Sequence, residues 1–328
     1  MTANKRVCII GGTGFLGYHT AQEFLAAGWE VTVVGLPPAP PAGLFSASVR
    51  LVIQDIHRLA DSDLASLLAG QDGLVFAAGL DDRLTPPRPA YPKFHAANVA
   101  SLERLIRLAK EAGVRRLVVL GSYFTYFDRL WPALKLAERH PYIRSRLEQA
   151  RLVTSAEGIE GIVLELPYIF GALPLAGWKP LWAPLIQYLR SSHTLFYMKG
   201  GTACISALTV GRAVLAAMER GQAGLCYPIG QENLTWEQML TRLAAAEGRR
   251  VRVLPLPGWL IHLAMRIIAV VHALQGKEGG LNLAHFASLQ TAHTFLDPEP
   301  SRQALGYTFG DLDEAFRQTL AACRSAAS

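Results

Sequence analysis

The chain has 328 residues, of which 51% are hydrophobic and 18% are charged, and its formal net charge is +6. This apolar content supports a sizeable core in one large or two unequal domains, and it argues against a disordered chain. The basic residues are scattered and form no block typical of nucleic-acid binding. We therefore expect a small-molecule substrate and no nucleic-acid partner.

The spacing of the cysteines and the first residues of the chain indicate the cellular compartment in which the protein is expected. Cys8, Cys204, Cys226 and Cys323 show neither CxxC spacing nor a dense framework. They are expected to be reduced thiols, with no metal site. The apolar run near the start is too short for a signal sequence. A cytoplasmic protein is expected.

Six short apolar runs of strand length occupy the first half of the chain, and amphipathic stretches separate most of them. They are RVCII, EVTVV, VRLVI, GLVFAA, RRLVVL and GIVLEL. This alternation predicts parallel strands joined by crossover helices. Runs that are apolar on both faces are expected where helices cover both sides of a sheet. The sequence therefore predicts an α/β fold with a doubly wound parallel sheet.

The first run enters a glycine-rich segment, VCIIGGTGFLG at residues 7–17, which opens a predicted helix ending near Gly28. In a Rossmann-type sheet Gly11 would permit the turn, Gly14 would let the backbone approach a pyrophosphate, and Gly17 would let helix and strand pack closely. A glycine-rich turn with nothing bound is the alternative. The segment predicts a dinucleotide site formed by Gly11, Thr13, Gly14, Phe15, Leu16 and Gly17.

A change in amino-acid composition near Gly171 predicts a second, smaller region. Proline, tryptophan and glycine become frequent in LPYIFGALPLAGWKPLWAPL. We predict a dinucleotide-binding domain over 1–170 with a return segment at 203–230. A C-terminal substrate-binding region is predicted over 171–202 and 231–328.

Successive motifs resemble those of the extended or atypical short-chain dehydrogenase/reductases, a group that includes sugar-nucleotide epimerases, dihydroflavonol reductases and hydroxysteroid dehydrogenases. They are GGTGFLG, QDI at 54–56, FAAG at 76–79, GSYFTYF at 121–127, PYIRSRLEQ at 141–149, the segment from LTVGRAV to TWEQML, and DPEPSRQALGY. The resemblance covers nearly the whole chain. It implies an NAD(P)-dependent oxidoreductase or epimerase.

The resemblance also implies cofactor contacts beyond the glycine segment. Each position has an ordinary structural alternative, such as a turn or helix cap for an aspartate that follows a strand. The implied contacts are Asp55 and Ile56 at the adenine, Ala77, Ala78 and Gly79 beneath the dinucleotide, and Pro167 and Tyr168 at the nicotinamide.

Catalysis is expected at Ser122, Tyr142 and Arg146. Tyr142 and Arg146 are four apart in a predicted helix, so the cation can stabilise a phenolate and lower the tyrosine pKa for acid/base work. Ser122 would hold the substrate oxygen. The family has lysine where this chain has Arg146, and an arginine does not pass a proton along a relay. The alternative is a surface helix with a partly buried tyrosine.

The cofactor is expected to be NAD(P). NAD enzymes of this shape usually have an acid after the second strand, where this chain has Gly35 and Leu36. No arginine directly follows to bind a 2′-phosphate, and Arg58 is a distant candidate along the chain. NADP is slightly favoured over NAD because no acid would repel the phosphate.

The segment LPLPGWLIHLAMRIIAVVHALQG, residues 254–276, is unusually apolar. His262, Arg266 and His272 interrupt it, so it is not expected to span a membrane. We expect it to pack on the protein and help to line a pocket, with peripheral membrane contact through 258–275 as the alternative. Trp178 and Trp182 are expected either to floor an apolar substrate pocket or to pack at a domain interface.

The combined prediction is hydride transfer to or from a secondary alcohol or ketone on a fairly apolar substrate. One alternative is a nucleotide-sugar epimerase or dehydratase. Another is a non-catalytic NAD(P)-binding sensor or assembly subunit, which Arg146 favours. The resemblance also implies a homodimer formed through the helices at 95–112 and 142–157.

Overall fold

The computed structural model describes residues 5–325 of the chain. The strands are β1 Arg6–Ile10, β2 Glu30–Gly35, β3 Arg50–Ile53, β4 Gly73–Phe76, β5 Arg116–Ser122, β6 Glu160–Leu166, β7 Tyr168–Phe170, β8 Thr194–Met198, β9 Gly201–Ser206, β10 Cys226–Pro228, β11 Glu232–Thr235, β12 Arg252–Leu256 and β13 His293–Thr294.

The α-helices are α1 Phe15–Ala26, α2 Asp61–Leu68, α3 Tyr91–His95, α4 Ser101–Glu111, α5 Phe124–Leu130, α6 Leu136–Arg139, α7 Pro141–Thr154, α8 Ala183–Ser191, α9 Ala207–Arg220, α10 Trp236–Ala246, α11 Gly258–Leu274, α12 Leu283–Gln290, α13 Glu299–Leu305 and α14 Leu312–Ser325. A π-helical turn, Ala96–Ala100, joins α3 to α4, and a 3₁₀ turn, Pro132–Leu134, precedes α6.

Seven parallel strands form the main sheet, in the order β10, β6, β5, β4, β1, β2, β3. The six apolar runs of the sequence are its first six strands. The chain reverses direction across the sheet between β1 and β4, which places a ligand crevice outside their carboxyl ends. The predicted doubly wound sheet is confirmed.

Helices cover both faces of this sheet, which explains why its strands are apolar on both sides. Ile9 belongs to a buried cluster that includes Phe24 of α1 and Val214 of α9. Its neighbour Cys8 points to the opposite face and belongs to a cluster with Leu105 of α4 and Val153 of α7. Alternate side chains along β1 are therefore buried in two separate layers.

A smaller sheet of β7, β9, β11 and β13 lies beyond the main one. It shares a buried cluster with α8, α10 and α14, and this cluster includes Phe170, Trp236 and Phe316. A separate pair is formed by β8 and β12. The chain returns to the main sheet through β10, which pairs with β6. The domain boundaries near 170, 203 and 230 stay predictions.

The apolar segment at 254–276 forms most of a helix, α11, that has no buried residue among those described. None of its residues lines either of the two cavities described below, and its expected contribution to a pocket stays a prediction. One side of α11 packs on α12, and the other faces outward. Across residues 5–325, no helix is long and apolar enough to cross a membrane.

Candidate functional site

The glycine segment makes a tight turn between β1 and α1. The Gly11 and Gly12 amides both donate to the Val34 carbonyl, at 2.9 and 3.0 Å. Gly11 has φ +80°, and a Cβ there would lie 2.9 Å from the Ala77 carbonyl carbon. A Cβ at Gly17 would lie 2.2 Å from the Gly11 carbonyl oxygen. Side chains are therefore excluded where the loop crosses β4 and where α1 packs on the loop.

The start of α1 is open towards the crevice. Gly14 caps the helix with φ −78° and offers no side-chain hydrogen bond to the first turn. Within 4 Å of a Cβ at Gly14 there would be only the Gly11 carbonyl oxygen, at 3.2 Å. The amides of an uncapped first turn and the positive end of the helix dipole favour an anionic group here.

A cavity of about 330 Å³ lies on one side of this turn, at the ends of β1, β2 and β3. We call it the glycine-loop cavity. The residues that line it are Ile10, Gly11, Thr13, Gly14, Val34, Gly35, Leu36, Gln54, Asp55, Ile56, His57, Phe76, Ala77, Ala78, Gly79, Leu80, Ala97 and Ser101.

Asp55 combines an ordinary turn role with a place in the glycine-loop cavity. Its Oδ1 accepts a hydrogen bond from the His57 amide at 3.0 Å. Its Oδ2 lies 3.7 Å from Nε of Arg58, whose side chain is 88% exposed. Of the described residues that line this cavity, only Asp55 carries a carboxylate. Leu36, directly after β2, is exposed at the cavity edge.

A second cavity, of about 390 Å³, lies on the other side of the glycine turn, and we call it the tyrosine cavity. It shares Gly14, Ala77, Ala78, Gly79 and Leu80 with the first cavity. The two therefore form one elongated cleft over the ends of β1 and β4. Its predicted residues are Phe15, Leu16, Ser122, Tyr142, Arg146, Pro167 and Tyr168. Of all the predicted site residues, only Gly17 lines neither cavity, because it is buried behind the turn.

Tyr142 is a buried side chain of α7 at this second cavity. Burial raises its pKa, although the charge of Arg146 and hydrogen bonding with Ser122 and Arg146 act in the opposite direction. The expected lowering of the Tyr142 pKa is therefore wrong for the chain by itself, because desolvation outweighs the neighbouring cation. Ser122 ends β5, and its Oγ accepts from the Phe124 amide at 3.4 Å.

Arg146 is also buried, and its guanidinium is held in place. Nη1 donates to Oε1 of Gln149 at 2.9 Å and to the Leu120 carbonyl at 3.4 Å. Nε is buried without a hydrogen-bond partner among residues 5–325. A Cβ at Gly79 would lie 3.1 Å from Nη2. The cleft thus contains a fixed cation, and the N–H groups of a guanidinium fit the hydroxyl groups of a ribose.

Asn98 is a site residue that sequence reasoning missed. It is fully buried in the π-helical turn, and its Nδ2 donates to Oγ of Ser145 at 3.0 Å. Its Oδ1 accepts from the Leu80 amide at 3.1 Å. Its carbonyl accepts from Nε2 of Gln149 at 2.7 Å. This network ties α7 to the loop after β4 and orients the face that carries Tyr142 and Arg146.

The loop after β4 brings two aspartates and an arginine, Asp81, Asp82 and Arg83, to the tyrosine cavity. Arg83 forms a fork with Asp81, at 2.8 and 3.0 Å, and donates to the Leu181 carbonyl at 3.0 Å. Burial, assisted by the negative charge of Asp81, raises the pKa of Asp82 to about 7. The signal available in the sequence was three consecutive charges that begin five residues after the end of a buried strand.

Aromatic side chains form much of the remaining wall. Trp178 lies 5.0 Å from Phe15 between ring centroids, and Trp182 lies 5.3 Å from Tyr168. The Tyr168 hydroxyl accepts from Nε2 of Gln290 at 2.9 Å, and burial raises its pKa well above the usual value. Both predicted tryptophans therefore line the tyrosine cavity, and Trp182 also stacks on buried Phe170.

Comparison with known proteins agrees with this arrangement. Residues 7–230 match the model of the NAD dependent epimerase/dehydratase family. The chain is 25% identical over 320 residues to 4-hydroxy-2-methyl-3-oxo-4-farnesyl-3,4-dihydroquinoline-1-oxide ketoreductase from Stigmatella aurantiaca, covering 92% of this chain and 91% of that protein. It is 32% identical over 187 residues to dTDP-6-deoxy-L-talose 4-dehydrogenase (NAD(P)(+)) from Kitasatospora kifunensis, covering 52% of this chain and 54% of that protein.

A solved structure with the same fold is that of a nucleoside-diphosphate-sugar epimerase from Pseudomonas aeruginosa. The TM-score is 0.73 at 18% identity, and the alignment covers 98% of both chains. The family match includes the glycine turn, Tyr142, Arg146 and β10. The chain therefore belongs to the NAD-dependent epimerase/dehydratase family, within the extended short-chain dehydrogenases/reductases.

Proposed function

We propose that this chain is an NAD(P)-dependent oxidoreductase that interconverts a secondary alcohol and a ketone in the tyrosine cavity. The observation that carries the proposal is the position of Ser122, Tyr142 and Arg146 beside the glycine turn, in one continuous cleft. When bound, the nicotinamide supplies or accepts the hydride. The protein must then hold the two reactants together and move a proton.

The cleft offers a group for each part of the dinucleotide. The uncapped first turn of α1, at Gly14, would hold the diphosphate. Asp55 and Ile56 would contact the adenosine half. Arg146 would donate to the ribose on the nicotinamide side, since its guanidinium is held at the tyrosine cavity. Pro167 and Tyr168 would line the nicotinamide pocket, and the stretch 77–79 would pass beneath the dinucleotide.

Tyr142 would transfer the proton. In the reducing direction its hydroxyl donates to the carbonyl oxygen as hydride reaches the carbon, and Ser122 holds the same oxygen by a hydrogen bond. The Arg146 charge stabilises the phenolate that remains. Because an arginine does not release a proton, another group must reprotonate Tyr142. Asp82 lines the same cavity, and its pKa of about 7 suits it to that task.

NADP is proposed as the preferred cofactor. The end of β2 carries Gly35 and Leu36, so it has no carboxylate to hold the ribose hydroxyls of NAD or to repel a 2′-phosphate. Arg58 is exposed next to this cavity, and among residues 5–325 its side chain is held only by its 3.7 Å contact with Asp55. It can turn towards a phosphate at little cost.

The substrate is proposed to be fairly apolar, with a polar group near its reacting carbon. Phe124, Trp178 and Trp182 offer apolar surface in the tyrosine cavity, while Asp82 and Arg83 form a charged edge. Such a lining fits a ring system or an alkyl chain bearing one carbonyl or hydroxyl group better than a nucleotide sugar.

Mass identification of nucleotide released from purified protein, followed by titration with NADH and NADPH, tests the cofactor. Turnover is then measured on a panel of apolar ketones and secondary alcohols. Net oxidation of NADPH by one class of ketone supports the proposal. Tightly retained NAD without net consumption during turnover would instead show an epimerase. Failure of every pyridine nucleotide to bind would exclude the whole assignment.

The replacement of the family lysine by Arg146 favours one second candidate, a non-catalytic NAD(P)H sensor or assembly subunit. Its signature would be binding of the nucleotide without turnover on any compound of the panel, together with a partner protein that co-purifies. The homodimer expected through 95–112 and 142–157 and the cytoplasmic location stay predictions.

A further inference from the structure

Eight of the 18 large apolar side chains that are exposed among the described residues lie on α11, and neither the core nor the cleft accounts for them. Trp259 is 68% exposed, Ile267 is 56% exposed and Leu274 is 83% exposed. The other large exposed apolar side chains of this helix are Leu260, Leu263, Ile268, Val270 and Val271. Monomeric proteins rarely leave a patch of this kind bare, and such patches usually mark a contact surface.

One side of α11 faces the protein, so its apolar side chains are not exposed merely because the helix is detached from the rest of the chain. His262, Met265, Ala269 and His272 are half-buried, and their spacing of three and four places them on one stripe. This stripe faces α12, against which α11 packs. After the helix, the Glu278 amide donates to the Pro86 carbonyl at 3.0 Å. The helix is therefore anchored, and its apolar residues are directed outward.

The charges of the segment that contains α11 have one sign. Residues 248–277 contain five basic residues and no aspartate or glutamate. Four of them, Arg250, Arg252, Arg266 and Lys277, are exposed. None of the four forms an ion pair within the part of the chain that the structure describes. Arg250 and Arg252 lie at or just before the start of β12, whereas Arg266 lies on α11 and Lys277 follows it closely. An apolar face with these two unpaired basic residues beside it complements an anionic lipid surface.

We propose that α11 lies in the plane of an anionic phospholipid bilayer and attaches the protein to its surface. A helix of 17 residues is about 25 Å long, which is less than the hydrocarbon thickness of about 30 Å, so it lies along the interface rather than across it. Trp259, at the first turn, has the amphipathic ring that favours the headgroup region.

A second copy of the chain fits this face less well. In a symmetric dimer the same surface meets itself, so the basic residues of one copy would approach those of the other. With no carboxylate between 248 and 277, such an interface brings together like charges that find no partner on this segment. An anionic bilayer supplies the missing negative charge.

The attached face is one helix away from the tyrosine cavity. Gln290, the last residue of α12, donates to the Tyr168 hydroxyl, and Phe286 packs edge-on against Phe124 at 5.9 Å. Tyr168 and Phe124 both line the cavity. An apolar substrate dissolved in the bilayer would thus be concentrated near its binding site. Only this last point rests on the proposed function, because membrane attachment requires no turnover.

The test is flotation of the full-length protein with phosphatidylcholine vesicles that contain or lack phosphatidylglycerol. We expect binding to the anionic vesicles that weakens with added salt. Ile267→Glu and Arg266→Glu should each reduce the fraction bound about tenfold or more, and both positions are exposed, so folding should be retained. Leu225→Glu is the matched control, since Leu225 is an exposed leucine outside α11.

Circular dichroism and NAD(P)H titration confirm that each variant is folded, and these readouts are independent of turnover. Absence of wild-type binding to anionic vesicles would overturn the proposal. Equal binding by wild type and Ile267→Glu would overturn it too, because the contact would then lie elsewhere. A dimer that light scattering detects and that Ile267→Glu dissociates, without vesicle binding, would identify the face as a contact between copies and would also refute membrane attachment.

Discussion

Arg146 lies against the ring of Tyr142, with the guanidinium carbon Cζ 5.2 Å from the ring centroid. The two residues are one turn apart on α7, and both are buried at the tyrosine cavity. A charge fixed at this distance favours the phenolate, while the same burial favours the neutral phenol. The balance between these two effects sets how readily Tyr142 exchanges a proton, and it can be tested by substitution.

Replacing Tyr142 with phenylalanine removes the proton donor but keeps the ring. Turnover on the identified substrate should fall about 100-fold or more, which is the usual contribution of a general acid or base. The affinity for NADPH should change little. Steady-state kinetics and nucleotide titration check the two parts separately. Full turnover by Tyr142→Phe would exclude the proposed proton transfer.

Arg146→Met removes the charge from the same position. The pKa of Tyr142 should then rise further, because burial would act without a neighbouring cation. In the alcohol-oxidising direction the active form is the phenolate, so the acidic limb of the pH profile should move to higher pH. Arg146→Lys keeps the charge and should leave the limb closer to that of the wild type. Profiles of kcat/KM for the three proteins decide the point.

Asp82→Asn tests the carboxyl whose pKa burial raises to about 7. In the unfolded chain an aspartate ionises near pH 3.8, so between about pH 4 and 7 the wild-type unfolded state loses a proton that the folded state retains. The wild type should therefore lose stability relative to Asp82→Asn as pH rises through this range, by at most about 1.4 kcal/mol per pH unit. Above pH 7 the difference should level off.

Urea unfolding of both proteins at several pH values measures this difference. A constant difference across the range would show that Asp82 titrates normally in the folded protein. If Asp82 also reprotonates Tyr142, the neutral variant should turn over more slowly at pH 7 than the wild type. Asp81→Asn is a useful comparison, because removing the Asp81 charge should lower the pKa of Asp82.

Leu36→Asp tests the cofactor preference. Leu36 is 62% exposed, so the change should not disturb the fold. A carboxylate after β2 should accept hydrogen bonds from the ribose hydroxyls of NADH and repel the 2′-phosphate of NADPH. We expect the ratio of the two dissociation constants to shift towards NADH by about tenfold or more. Fluorescence titration with both nucleotides measures the ratio, and an unchanged ratio would place the adenosine elsewhere.

Alanine substitutions at two glycines of the turn should have different effects on stability and on nucleotide binding. At Gly17 a Cβ would lie 2.2 Å from the Gly11 carbonyl oxygen, so Gly17→Ala should lower the free energy of unfolding by about 1–3 kcal/mol. At Gly14 the backbone is ordinary, with φ −78°, and a Cβ would meet the Gly11 carbonyl oxygen at 3.2 Å, a much milder contact. Gly14→Ala should cost less stability than Gly17→Ala but weaken nucleotide binding, because the methyl group would occupy the approach to the diphosphate.

The sequence was sufficient for the main sheet because its strands are apolar on both faces, as β1 shows with Ile9 and Cys8 buried in opposite layers. The glycine turn was also predictable, since its residues follow one another along the chain. Asn98 and Asp82 were missed because their significance depends on contacts with α7 and with the cavity, which local pattern does not specify.

For the segment at 254–276, the local pattern was clear but did not predict how much of the helix would be buried. Its composition is that of a core helix, and apolar residues at helical spacing normally indicate burial. The structure leaves α11 with a bare outer face, because only the stripe that contains Met265 and Ala269 meets α12. Hydrophobicity alone does not distinguish a helix that is buried within its own chain from one whose apolar face is left exposed.

The π-helical turn at Ala96–Ala100 determines how the helical segment from α3 to α4 contacts α7. Its wider turn holds one additional residue and leaves the Asn98 carbonyl available to Gln149. Removing a single alanine there would restore regular α-helical winding, in which each carbonyl accepts from the amide four residues on. The Asn98 carbonyl would then be taken up by the helix itself, and Gln149, which holds Arg146, would lose a partner. A one-residue deletion in this turn would therefore act on Arg146 through the backbone, although no side chain of the cleft had been exchanged.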